Sequence, residues 1–207
     1  MAEQGTDHPG PYDQRLARLL VRPLAATPIH PNHLTTLSLL LGFASALVFA
    51  VGGPGDEHWA ALMFMLAVLV DHTDGELARM TGKTSTFGHY YDYVVGSANY
   101  TMLFIGIGLG LARGEMGDSA LILGLAAGLA NPIIVALRLT IERRHGAEAV
   151  EHPSTSAFEL EDFIYLVGPM TWLGGLKYFL LVFGFGTLAY LAWTVWELAR
   201  REVRKHG

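Results

Sequence analysis

The stretch "DHTDGELARMTGKTSTFGHYYDYVVG" at residues 71–96 sets three aspartates, a glutamate and an arginine between two strongly apolar runs. On a helix, Asp71, Asp74, Gly75, Ala78 and Arg79 fall at i, i+3, i+4, i+7 and i+8, which is one face. Beyond the short turn "TGKTST", Gly88, Asp92 and Gly96 recur at i+4 along the next helix. Two antiparallel neighbours would then aim three carboxylates into one cavity near a membrane interface. A carboxylate in a bilayer is costly unless paired or hydrated, so such a group is a functional-site hypothesis by default. Three of them together repel, and a divalent cation relieves the repulsion; all-oxygen ligands favour magnesium, manganese or calcium. Gly75, Ala78 and Gly88 remove bulk beside the carboxylates and leave a slot for a flat group or a phosphate chain. Arg79 offers a forked donor to phosphate oxygens. Close helix packing accounts for any one of the small residues. The set beside three Asp and one Arg calls for a ligand.

Those positions need helices that can hold charge at a membrane boundary, and the composition supplies them. Of 207 residues, 51% are apolar and only 16% charged, far below the roughly 25% of soluble domains. The expected fold is all-α and integral to a membrane, one domain over 1–207, with six transmembrane helices. The spans are about 34–52, 58–80, 90–112, 119–141, 158–174 and 176–198, each near the ~20 residues a bilayer requires. They occupy 31–198, preceded by an amphipathic juxtamembrane helix at 12–30 and a disordered 1–11, and followed by a tail at 199–207. In "YDQRLARLLVRPLAATPIHPN", Leu and Ala at helical spacing alternate with Arg15, Arg18 and Arg22, as suits a helix lying on a charged surface. The opening "MAEQGTDHPGPYDQ" lacks the basic and apolar regions of a signal peptide. With no cysteine, disulfides, thiolate metal sites and thiol nucleophiles are excluded, and a net charge of −5 gives no reason to expect a nucleic-acid partner.

With six spans, twelve of the fourteen Lys and Arg fall on one side of the membrane, leaving only Arg113 and Lys177 opposite. The positive-inside bias places both termini and the aspartates at the cytoplasmic face of the cell inner membrane.

The pattern D-x2-D-G-x2-A-R-x8-G-x3-D, filled by Asp71, Asp74, Gly75, Ala78, Arg79, Gly88 and Asp92, resembles the signature of the CDP-alcohol phosphotransferase family. "PNHLT" at 31–35 is similar to that family's P-N-x-x-T entry into the first span. The resemblance implies a homodimeric six-helix membrane enzyme of phospholipid or related lipid synthesis. Such an enzyme moves a phosphoalcohol group, here phosphatidyl, from a donor such as CDP-diacylglycerol to a small alcohol acceptor and releases CMP. It further implies that Asp71, Asp74 and Asp92 bind two Mg2+ or Mn2+ ions on the donor diphosphate. Gly75, Ala78 and Gly88 would accommodate the cytidine with Asn32 and Thr35 nearby, and Arg79 would hold phosphate. Paired metals suit phosphoryl transfer, which asks a protein chiefly for positioning and charge neutralisation.

One position departs. The family motif ends on a fourth Asp, the proposed base for the acceptor hydroxyl and a contributor to the second metal site, and here that position is Gly96. Three readings stand open: a divergent enzyme that deprotonates its acceptor differently, a member that binds donor without efficient turnover, or a variant substituted at this position. His89, one turn before Asp92, is the candidate substitute base, since imidazole suits proton transfer in neutral solution. Tyr90 and Tyr91 are weaker candidates, and a metal-bound water is an alternative. The second metal site would be weakened.

Arg138, deep in the fourth span, is a candidate ligand for an acceptor phosphate, while Arg143 and Arg144 read as positive-inside anchors. Glu159, Glu161 and Asp162 open the fifth span and favour an amine or a helix N-terminus over a phosphate. These clues conflict, and the acceptor is not assigned. His30, His33 and His72 read as interfacial histidines. The rival of another class is a cation transporter, but the far halves "WAALMFMLAVLV" and "TMLFIGIGLGLA" contain nothing ionisable.

Overall fold

The helices begin and end where the sequence supplies caps and terminators. Pro31 opens the first, and two histidines cap it: His30 Nδ1 accepts from the Asn32 amide at 3.3 Å, and His33 Nδ1 from the His30 amide at 3.4 Å. The second starts after Gly55 (φ 93) with Asp56 and Glu57 in its first turn, where acidic groups complement the helix dipole. It stops at Gly82 (φ 66), whose left-handed backbone lets the Lys83 amide reach the Ala78 carbonyl at 3.1 Å. Three residues later Ser85 caps the third helix, its Oγ accepting from the Gly88 amide at 2.9 Å.

The computed structural model describes residues 21–114, 116–146 and 164–206. Residues 21–25 are helical, and no strand occurs among the described residues. The main elements are α1 (Pro31–Val51), α2 (Asp56–Thr81), α3 (Thr86–Ala112), α4 (Asp118–His145), α5 (Val167–Trp172) and α6 (Leu176–His206). Expectations for residues 1–20, including the disordered 1–11 and most of the surface helix, lie outside the described residues. So do Glu159, Glu161 and Asp162.

Among the described residues, four helical segments, Pro31–Val51, Thr86–Ala112, Asp118–Arg144 and Leu176–Glu202, are long and apolar enough to cross a membrane. The expectation of six is not reproduced at that level. The 26-residue α2 has the length, but Asp71, Asp74, Glu76 and Arg79 crowd its second half. Of the span expected at 158–174, the described part is a tight turn at 164–166 and the six-residue α5.

The polarity of the bundle suits lipid. Leu40, Phe43 and Val51 on α1, Ile122 and Leu129 on α4, and Val182 and Phe185 on α6 face outward. Thr35, Ser38, Ser45, Ser97 and Asn99 are buried. In water such apolar faces would promote aggregation; in a bilayer they are solvated, and association rests on close packing and interhelical hydrogen bonds. Ser45 Oγ donates to the Ala60 carbonyl at 2.8 Å, tying α1 to α2. Pro132 inside α4 leaves the Gly128 carbonyl without its usual helical donor, and Thr101 Oγ1 of α3 donates to that carbonyl at 2.9 Å.

Helix α1 packs extensively on both α2 and α3, which share little direct contact. The two aspartate-bearing helices are therefore not packed neighbours, contrary to the simplest reading of the sequence; α1 lies between them. Helix α3 continues onto α4, and α4 onto α6, with α5 closing against α2 and α6. Close approach is set by glycines: a Cβ on Gly106 would lie 2.5 Å from the Ala46 carbonyl oxygen, and one on Gly108 2.8 Å from that of Ala120. The apolar core gathers Phe49, Phe64, Leu103, Phe104 and Ile107.

Candidate active site

Helices α2 and α3 supply the aspartates of the site from either side of α1. Asp71 and Asp74 stand on the last turns of α2 and Asp92 on the second turn of α3, on either side of the Gly82–Ser85 reversal. One carboxylate oxygen from each of the three lies within 4.8 Å of the others. Asp74 is 4% exposed, and its Oδ2 is buried with no hydrogen-bond partner. A buried carboxylate oxygen left bare is expensive, and a cation shared with two further carboxylates would satisfy it. The residues present fit a hard divalent ion.

Helix α1 brings its own side chains to this end. Thr35 is buried one helical turn from Pro31, to whose carbonyl its hydroxyl donates at 3.4 Å. Asn32 faces Gly88, where a Cβ would lie 3.3 Å from Asn32 Oδ1. A Cβ on Gly75 would meet the Arg79 guanidinium at 3.6 Å. Arg79 is held by Glu76, its Nε donating to Oε2 at 3.0 Å, with the Arg79 side chain 61% exposed and that of Glu76 4%. The guanidinium is thus tethered at one edge while most of its side chain is open to solvent. Among the residues expected from the sequence, the structure gathers Asn32, Thr35, Asp71, Asp74, Gly75, Arg79, Gly88 and Asp92 at one end, with Ala78 one turn beyond Asp74.

Two expected residues look elsewhere. His89 Nε2 lies 3.8 Å from Glu142 Oε1 on α4, and its ring packs edge-on against Tyr90 and Tyr93. Arg138 is engaged by α6: its guanidinium donates to Tyr190 Oη at 2.6 and 3.0 Å and lies 3.4 Å from Glu197 Oε2, over the Tyr190 and Trp193 rings. The three histidines expected at the interface make local contacts. His30 and His33 cap α1, and His72 packs edge-on against Tyr165. At Gly96 a Cβ would meet nothing within 4 Å, so the position has room for a side chain it does not carry.

Sequence reasoning missed four polar residues around this end: Glu76, Glu142, Ser38 and Asn99. Ser38 donates to Asp71 Oδ1 at 3.1 Å and accepts from Asn99 Nδ2 at 2.8 Å. A signal existed for both. Asn99 is an amide inside an apolar span, two turns beyond Asp92, and Ser38 follows Thr35 by one turn.

Comparison with known proteins points to one family. A family model described as CDP-alcohol phosphatidyltransferase matches residues 28–199. A bifunctional IPC transferase and DIPP synthase of Thermococcus kodakarensis is 36% identical over 81 residues, which is 39% of this chain and 17% of that protein. An archaetidylinositol phosphate synthase of Pyrococcus horikoshii is 31% identical over 87 residues, 42% of this chain and 45% of that protein. The chain thus spans less than half the length of these curated relatives. In fold it is similar to the phosphatidylinositol phosphate synthase of Mycobacterium tuberculosis, whose crystal structure has CDP-DAG bound. The TM-score is 0.65 at 18% identity, covering 90% of this chain and 93% of that one. With 28–199 matched and the motif aspartates converging on one point, the chain is a multi-pass membrane protein that belongs to the CDP-alcohol phosphatidyltransferase family.

Proposed function

We propose that the protein transfers a phosphatidyl group from a CDP-alcohol, such as CDP-diacylglycerol, to the hydroxyl of a small acceptor alcohol, releasing CMP, in phospholipid or related lipid synthesis. The observation that carries this reading is the convergence of Asp71, Asp74 and Asp92 within 4.8 Å, with the bare Asp74 Oδ2 among them. Mg2+ or Mn2+ held by these three would neutralise charge on the donor diphosphate and on departing CMP. The chain's own residues do the rest. Asn32, Thr35, Gly75, Ala78 and Gly88 accommodate the cytidine, and Arg79 holds a phosphate oxygen. The acceptor oxygen bonds to the β-phosphorus as the bond from that phosphorus to the CMP oxygen breaks, and the hydroxyl proton passes to a base.

With glycine at 96, the substitute base is His89, which must turn its ring from Glu142, 3.8 Å from its Nε2, to reach the acceptor hydroxyl. The second cation has one carboxylate fewer and binds more weakly. For Arg138 to hold an acceptor phosphate it must exchange its contact with Glu197. The names of two relatives contain inositol phosphate, which makes a phosphorylated polyol the first acceptor to test.

The charge asymmetry of the sequence supports a six-span arrangement in a cytoplasmic membrane with the site and both termini inside. The outward apolar faces leave surface for a homodimer. Ion transport is disfavoured: a cavity of about 580 Å³, bordered by Glu57, Arg113 and Lys177, opens at the opposite end of the bundle. Along α2 and α3, the buried Phe64, Leu103 and Phe104 lie between the residues bordering that cavity and the aspartates.

The test is CMP release by the purified full chain with CDP-diacylglycerol, Mg2+ and a panel of inositol phosphate, glycerol phosphate and unphosphorylated alcohols. Acceptor-dependent CMP release, abolished by EDTA and by Asp74→Asn, is the expected result. Silence with every acceptor, in both the native chain and Gly96→Asp, would sink the proposal.

A further inference from the structure

We infer that Ser38 and Asn99 form a directional hydrogen-bond relay that positions Asp71 for its cation, an assignment that rests on the metal-site reading above. Ser38 sits on α1 with no exposed surface, and Asn99 on α3 is 3% exposed. Asn99 Nδ2 lies 2.8 Å from Ser38 Oγ, and Ser38 Oγ lies 3.1 Å from Asp71 Oδ1. An amide NH2 can only donate, so the Ser38 oxygen is the acceptor in the first bond. The single hydroxyl hydrogen is then available for Asp71, and a carboxylate can only accept. Polarity runs one way, from Asn99 through Ser38 to Asp71. The relay therefore pins one oxygen of a metal ligand from outside, as the groups behind metal ligands do in protein sites generally.

The neighbouring backbone is shaped for this relay. Gly42, one turn after Ser38, is where α1 meets the Asn99 amide: a Cβ there would overlap Asn99 Oδ1 and lie 2.7 Å from Asn99 Cγ. Helix α1 gives up a side chain so that an amide on α3 can reach a hydroxyl facing α2. Because α2 and α3 share little direct contact, this three-residue chain through α1 is a link by which the position of α3 reaches a ligand on α2. Asn99 Oδ1 is buried with no hydrogen-bond partner. An amide held at that cost is consistent with a positioning role rather than with stability alone.

The relay is tested by calorimetric titration of the purified full chain with Mn2+, alongside the thermal midpoint of the metal-free protein. Ser38→Ala and Asn99→Leu should each weaken Mn2+ binding roughly tenfold, and the double variant should be no worse than the weaker single, because the two act as a unit. Ser38→Thr, which keeps the hydroxyl, should restore affinity to within about twofold of the native chain, a small change beside the tenfold loss. Asn99→Asp, nearly isosteric, should weaken binding at least as much as Asn99→Leu, because a carboxylate at 99 draws the Ser38 hydrogen away from Asp71. Gly42→Ala should weaken binding without altering either relay residue. If the native chain binds Mn2+ and all these variants bind it equally well, the relay is wrong and the metal site stands. If the native chain binds none, both fail. If affinity falls only in step with a lowered thermal midpoint, and Ser38→Thr falls with the others, the pair is structural and the relay is rejected.

Discussion

At position 96 the chain carries glycine where the motif resemblance implies a carboxylate, and the structure leaves room for one. A Cβ there meets nothing within 4 Å, so Gly96→Asp introduces no backbone or side-chain overlap at its first atom. Restoring a general base at a phosphoryl-transfer site should matter, since such groups contribute ~10²–10⁴-fold. Gly96→Asp is therefore expected to raise kcat at least about tenfold in the CMP-release assay. His89→Gln should lower kcat in the native chain, leave the donor KM nearly unchanged, and cost much less once Asp stands at 96. An unchanged kcat in Gly96→Asp would show that position 96 does not play the family role. Equal losses for His89→Gln in both backgrounds would show that His89 acts through packing on Tyr90, Tyr93 and Glu142.

At the scale of the element, glycines on α3 determine how near its neighbours can come. Gly106 faces α1, and Gly108 faces α4, where a Cβ would lie 2.8 Å from the Ala120 carbonyl oxygen and 3.0 Å from Gly124 Cα. Backbone cannot yield as a flexible side chain can, so Gly108→Leu must push the helices apart. A loss of ~1–3 kcal/mol is expected, read as a lower midpoint in thermal or SDS unfolding of the detergent-solubilised protein. Gly186→Leu on α6, where a Cβ meets nothing within 4 Å, is the control and should leave the midpoint in place. Equal effects at the two positions would mean that side-chain bulk in the membrane, not helix approach, sets stability.

For the whole molecule, the arrangement of α1 between α2 and α3 makes a bound cation structural as well as chemical. An ion shared by Asp71, Asp74 and Asp92 would join two helices that otherwise hardly touch. Ligand binding to the folded state adds ~2.7 kcal/mol at one hundred times the dissociation constant. For a chain of this size that corresponds to a rise of ~5–11 °C in thermal midpoint. Saturating Mn2+ should give such a rise, EDTA should reverse it, and Asp74→Asn should abolish it. An equal rise in Asp74→Asn would place the ion elsewhere.

The sequence alone was enough to indicate a helical membrane protein, because long apolar runs are a local property that needs no partner to be recognised. It also named the aspartates, since i+3 and i+4 spacing puts residues on one helix face whatever surrounds them. Only the tertiary structure decided that α1 separates α2 from α3, that Arg138 is engaged by Tyr190, Trp193 and Glu197 on α6, and that Ser38 and Asn99 stand behind Asp71. Each of these depends on which helices pack together and at what rotation. Small-residue approach and buried hydrogen bonds select that packing, and they join residues as distant in the chain as Ser38 and Asn99.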